Sequence, residues 1–150
     1  MSDTQSDRRL LLPGLTSFYD FVTPFSWLIV RCAAGLIMAV HGWGKVANGP
    51  GVAKALEQFG FTPGMTYVYI LLVVEFIGGI AIALGLFTRF FAAAAAIEMA
   101  VITFGLYWGN GFSWLNRGYE YTLLWGLIMF AIALRGGGPY SLDRKLPKEL

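Results

Sequence analysis

Arg31, Glu75, Glu98 and Glu120 each stand in or at the edge of a long apolar run, and His41 and Lys45 follow Arg31 along the first of them. A charge near the middle of a spanning helix costs about 2.5–3.5 kcal/mol on insertion scales, so residues of this kind mark a partner or a task. Intramembrane acids that face a cavity serve as proton relays or ligand contacts. The structural alternative is an ion pair between Arg31 and Glu75 that locks helices together and does no chemistry. Once those two pair, Glu98 must share Arg31, carry a proton, or meet water or a ligand. Glu120, toward the outer end, can pair with Lys45 or His41. His41 is either a titrating group near neutral pH or a hydrogen-bonded structural residue at a helix end.

Several chemistries are excluded. With a single histidine there is no Glu-x-x-His or His-x-x-x-His spacing, so a metal centre and a haem are not expected. No phosphate-binding loop or Gly-x-Gly-x-x-Gly follows a strand. Cys32 is the only cysteine, which rules out an intramolecular disulfide or a two-thiol couple. A net charge of +2 with dispersed basic residues argues against nucleic acid as a partner. Any cofactor is apolar or comes from another subunit.

The elements that must position these residues follow from composition. The chain is 57% hydrophobic and 13% charged, about half the charge of a soluble domain, so it is an integral membrane protein. Four apolar segments, at about 24–46, 66–86, 89–108 and 119–135, approach the roughly 20 residues that a spanning helix needs. The expected fold is all-α, a four-helix transmembrane bundle over 24–135. It is preceded by a tail with an interfacial segment (1–23) and followed by a second tail (136–150). Between Pro50 and Pro63, Val52, Ala55, Leu56 and Phe59 fall at helical spacing, which predicts a short helix on the outer interface. Phe112 and Trp114 in the other outer loop read as interfacial anchors.

Seven of the Lys and Arg residues fall on the side of the two tails and the 86–89 link, against Lys45, Lys54 and Arg117 on the other, so both termini are expected in the cytoplasm of a bacterial-type inner membrane. Arg8 and Arg9 resemble a twin-arginine signal only loosely, because Pro13 and Gly14 interrupt the apolar stretch behind them. At about 1.5 Å per residue, Arg31, Glu98 and Glu75 come out about 10, 14 and 16 Å from the cytoplasmic end, one shared layer, with His41 and Glu120 in a second layer further out. Arg31, Gly35, Met38, Gly42 and Lys45 form one inward stripe, and Glu75, Gly78, Gly79 and Ile82 another.

Arg31 with Gly35 and His41-Gly42-x-x-Lys45, Glu75-x-x-Gly78-Gly79 with Leu84-Gly85-Leu86-x-Thr88-Arg89, Gly118-Tyr119-Glu120-Tyr121, and Gly136 through Pro139-Tyr140-Ser141-Leu142-Asp143 occur in this order. Together they resemble the DoxX family of small four-span membrane proteins. The resemblance implies a link to redox metabolism, because the family is named for a subunit of a thiosulfate:quinone oxidoreductase. It also marks Arg31, His41, Lys45, Glu75 and Glu120 as the family's polar pattern. The expected function is an accessory or quinone-linked subunit of an inner-membrane redox assembly, not catalytic alone, with partners in the bilayer, in a membrane redox complex or in a homo-oligomer. Its cavity would have Arg31, Glu75 and Glu98 as the floor and Phe104, Tyr107, Trp108 and Tyr121 as walls. A small proton-coupled carrier and a purely structural subunit are the alternatives.

Overall fold

In the computed structural model, residues 11–147 are described; 1–10, with the Arg8-Arg9 pair, and 148–150, with Lys148, lie outside the described residues. Five helices carry the fold: α1 (Thr16–Ala47), α2 (Gly49–Gln58), α3 (Gly64–Leu84), α4 (Thr88–Asn110) and α5 (Glu120–Arg135). No strand occurs among the described residues. α1, α3 and α4 are long and apolar enough to cross a membrane. α5, at 16 residues, is about 24 Å long and completes the bundle with less than the roughly 30 Å of a hydrocarbon core. α2 is the short helix expected between the prolines, opened by Pro50 in its first turn, where a missing N–H costs nothing.

Large apolar side chains such as Val40, Ile97 and Leu127 point outward, while the interior holds small residues around Met38, Ile82, Met99, Met129 and Ile132. That distribution fits a lipid solvent, in which close backbone approach rather than apolar burial draws helices together. Both inward stripes are buried as expected, except that Lys45 keeps partial exposure. Glycines set the α1–α3 distance. A methyl group on Gly35 would stand 2.5 Å from the Gly79 carbonyl oxygen and the Ala83 nitrogen, and one on Gly79 would stand 2.6 Å from the Ala39 nitrogen. Gly42 meets the backbone of Phe76 in the same way.

This antiparallel register has a consequence for depth. If Gly42 is level with Phe76 and Gly35 with Ala83, Arg31 is level with the α3–α4 link, and the first turns of α1 project beyond the bundle. The expected common layer of Arg31, Glu75 and Glu98 is therefore corrected. It assumed that α1 enters the bundle near residue 24, about 10 Å too early.

The link itself is tightly made. Gly85, at φ +73°, ends α3 with hydrogen bonds from its own N–H to Ile82 and from the Leu86 N–H to Ala81, a Schellman closure. Asp143 then caps α4 from 55 residues away, accepting from the Phe87 N–H at 2.6 Å, the Thr88 N–H at 3.1 Å and the Thr88 hydroxyl at 2.6 Å. Arg89 donates to the carbonyls of Ala133, Leu134 and Arg135, satisfying the otherwise open end of α5.

Candidate functional site

The polar residues gather at opposite ends of α1. At one end Arg31 is 1% exposed and donates to the backbone carbonyls of Gly137 (2.5 Å), Tyr140 (2.8 Å) and Ala83 (3.3 Å). The Trp27 indole N–H reaches the Gly136 carbonyl, and the Phe25 and Tyr140 rings stack at 5.3 Å. Arg31 and Asp143 thus fasten the segment after α5 to α1, α3 and α4. The expected Arg31–Glu75 ion pair does not form. The register leaves the guanidinium at the bundle's end, where backbone carbonyls of Ala83, Gly137 and Tyr140 accept its hydrogen bonds.

The counter-ion of Glu75 is Lys45, 14 residues further along α1, or about 21 Å. Glu75 is 4% exposed and sits in a π-helical stretch, Leu72–Ile77, within α3. A second π-helical stretch, Ile102–Tyr107, lies in α4. Such wide turns interrupt the regular ladder and re-aim side chains, and they recur at functional sites. Glu98, also buried, has the Glu75 carboxylate and the Lys45 ammonium among its neighbours. Neither of its oxygens has a hydrogen-bond partner among the described residues.

A cavity of about 270 Å³ opens beside this cluster. Its polar lining is His41, Lys45, Glu75, Tyr107, Tyr121 and Thr122, set among Ile37, Met38, Met99, Ile102 and Trp125. Of the expected aromatic walls, Tyr107 and Tyr121 line it. Trp108 instead stacks on Tyr119 at 4.5 Å, and Phe104 faces a separate apolar groove of about 650 Å³ between α4 and α5. Met99 and Thr122 border both spaces. A third space of about 470 Å³, beneath α2 and between α3 and α4, is lined by Glu98 with Phe61, Tyr67 and Val74, and touches the first cavity at Ile102 and Tyr107.

Glu120 takes no part in the cluster. It accepts from the Trp114 N–H at 3.3 Å and holds the α4–α5 loop, so the anticipated pairing with Lys45 or His41 is replaced by a loop contact. Of the six residues singled out, the fold brings Lys45, Glu75 and Glu98 together with His41 at the cavity wall, and separates Arg31 and Glu120. Sequence reasoning missed the buried Thr103–Thr122 hydroxyl bond at 2.8 Å, which ties α4 to α5 beside the cavity, and Trp125. It also gave Asp143 no role, although a lone acid after a run of glycines was a signal for a cap.

The donor set of Lys45, His41 and two tyrosine hydroxyls can hold a carbonyl-bearing ring. Lys45 has ammonium protons to spare beyond its bond to Glu75. A structural metal does not fit, since no group of three or more histidine, cysteine or acidic side chains converges among the described residues.

The DoxX family profile matches residues 26–108. The chain is 32% identical to the "Inner membrane protein YqjF" of Escherichia coli over 81% of its length and 92% of that protein. It is 31% identical to the "Putative oxidoreductase CatD" of Bacillus subtilis over 77% of its length and 83% of that protein. A Haemophilus influenzae protein without an assigned role is 29% identical over 84% and 94%. No solved structure matches the chain.

Proposed function

The chain belongs to the DoxX family of membrane proteins, and from that premise we propose that it is an accessory, quinone-linked subunit of an inner-membrane redox assembly. Its 270 Å³ cavity receives the quinone head group. The observation that carries this reading is the cavity itself: one ion pair and four further hydrogen-bonding side chains, His41, Tyr107, Tyr121 and Thr122, among apolar walls. Its volume lies just under the roughly 300–1,000 Å³ of pockets that take whole ligands, so it accommodates a ring and leaves an isoprenoid tail outside. The adjoining α4–α5 groove, lined by Ala96, Phe104, Leu127 and Phe130, gives that tail an apolar path.

A bound quinone supplies the electron chemistry. The protein's part is to orient: Lys45 and the Tyr107 and Tyr121 hydroxyls donate toward ring oxygens, and Glu75 holds Lys45 in place. The name of the Bacillus relative, an oxidoreductase, supports the redox direction, and that of the Escherichia relative supports the inner membrane. In this reading four helices span the membrane, both tails are cytoplasmic, and the cavity lies toward the outer face.

Photolabelling tests this. An azidoquinone irradiated with the purified protein is expected to mark peptides carrying His41, Tyr107 or Tyr121, with competition by unlabelled quinone and loss of the label in Lys45→Met. Labelling spread over lipid-facing positions without competition refutes the site. The carrier alternative predicts substrate uptake in vesicles, and the structural alternative predicts no saturable labelling.

A further inference from the structure

Glu98 is 9% exposed, and both its carboxyl oxygens are sealed from solvent without a donor. The groups that face this region are Lys45 and His41 from α1, Glu75 and Tyr67 from α3, Tyr107 from α4 and Tyr121 from α5. Of these, Glu75 and Lys45 are near enough to act on its charge. Glu120, bonded to the Trp114 N–H, is engaged elsewhere.

Charge accounting leaves one negative charge too many. Two carboxylates would face one ammonium, and Lys45 is already bonded to Glu75. A second ionised carboxylate would be a buried, unpaired charge beside one of the same sign, which an apolar interior strongly disfavours. A proton removes that cost. It also makes Glu98 a donor toward Glu75, whose oxygens have room for a second bond.

We propose that Glu98 and Glu75 form a proton-binding site in the interior of the bundle, with one proton shared between the two carboxyls and Lys45 as their common counter-ion. Exchange within the pair is balanced. When the proton passes from Glu98 to Glu75, the carboxylate left on Glu98 has Lys45 as its neighbour. The site lies between two compartments, the cavity that Glu75 lines and the space beneath α2 that Glu98 lines, which meet at Ile102 and Tyr107. The inference goes beyond the quinone reading and stands on the cluster alone.

Infrared spectroscopy of the full-length protein in nanodiscs at neutral pH tests it, comparing H2O with D2O. The wild type is expected to show a deuterium-sensitive C=O band of a protonated carboxylic acid. Glu98→Gln removes the band. Glu75→Gln also removes it, because Lys45 then becomes the counter-ion of Glu98, which ionises. Glu57→Gln, on α2, leaves it in place. Absence of the band in the wild type, or its persistence in Glu98→Gln, overturns the proposal. If Glu98→Gln does not fold, the Glu75→Gln spectrum decides, and a persistent band there overturns it equally. A failed photolabelling experiment with quinone leaves these spectra unaffected, so the two ideas fail separately.

Discussion

Arg31→Met removes a guanidinium that holds three backbone carbonyls, of Gly137, Tyr140 and Ala83, and so should loosen the last part of the chain more than the bundle itself. Hydrogen bonds from a charged donor contribute about 1.5–3 kcal/mol each. The full value applies to Gly137, which is buried. Tyr140 is exposed and Ala83 is part-buried at the bundle's end, so water replaces much of what they lose, at about 1 kcal/mol each. The sum is about 3–5 kcal/mol, reduced slightly by the packing that methionine restores. Trp27 and Asp143 still hold Gly136 and the α3–α4 link, so the segment is released in part. Thermal unfolding in detergent measures the loss, and limited trypsin digestion at Arg135, Arg144 and Lys145 reports the release. Stability within about 0.5 kcal/mol of wild type, with unchanged protection of these sites, would refute the reasoning.

Gly79→Ala places a methyl group 2.6 Å from the Ala39 nitrogen and forces α1 and α3 apart, so thermal unfolding should show a loss of about 1–3 kcal/mol, as for other overpacked interiors. Asp143→Ala removes the cap of α4 and leaves the Phe87 and Thr88 N–H groups open. The expected cost is about 1–2 kcal/mol by the same assay, with faster amide exchange at Thr88. Thr103→Val takes away the hydroxyl that donates to Thr122, which keeps only its own bond to the Tyr119 carbonyl, and costs about 1 kcal/mol, whereas Thr103→Val with Thr122→Val costs less than the two single changes added, as measured in a double-mutant cycle.

The helices were legible because their signal is long and repetitive. Runs of apolar residues marked α1, α3 and α4, prolines framed α2, and the spacing of Arg31, Gly35, Met38, Gly42 and Lys45 fixed which face of α1 turns inward. Pairing was not legible in the same way. A stripe that carries a cation at each end does not say which one meets Glu75, because that depends on the sliding of α1 against α3. The glycine contacts set that sliding: Gly35 against Ala83 and Gly42 against Phe76 raise Lys45 to Glu75 and leave Arg31 below. Arg31 then meets carbonyls of a glycine-rich segment more than 100 residues away, a partner that no local pattern identifies. The π-helical stretches that aim Glu75 and widen α4 were hidden for a related reason, since their extra residue per turn leaves no mark in an unbroken apolar run.

The central claim is that Lys45, Glu75 and Glu98 make one polar site and that Arg31 belongs to a separate clasp. A pair of double-mutant cycles tests it, with unfolding free energy as the readout. Lys45→Met with Glu75→Gln should show a coupling above about 1 kcal/mol, while Arg31→Met with Glu75→Gln should be additive within about 0.5 kcal/mol. Coupling between Arg31 and Glu75, with none between Lys45 and Glu75, would contradict the account.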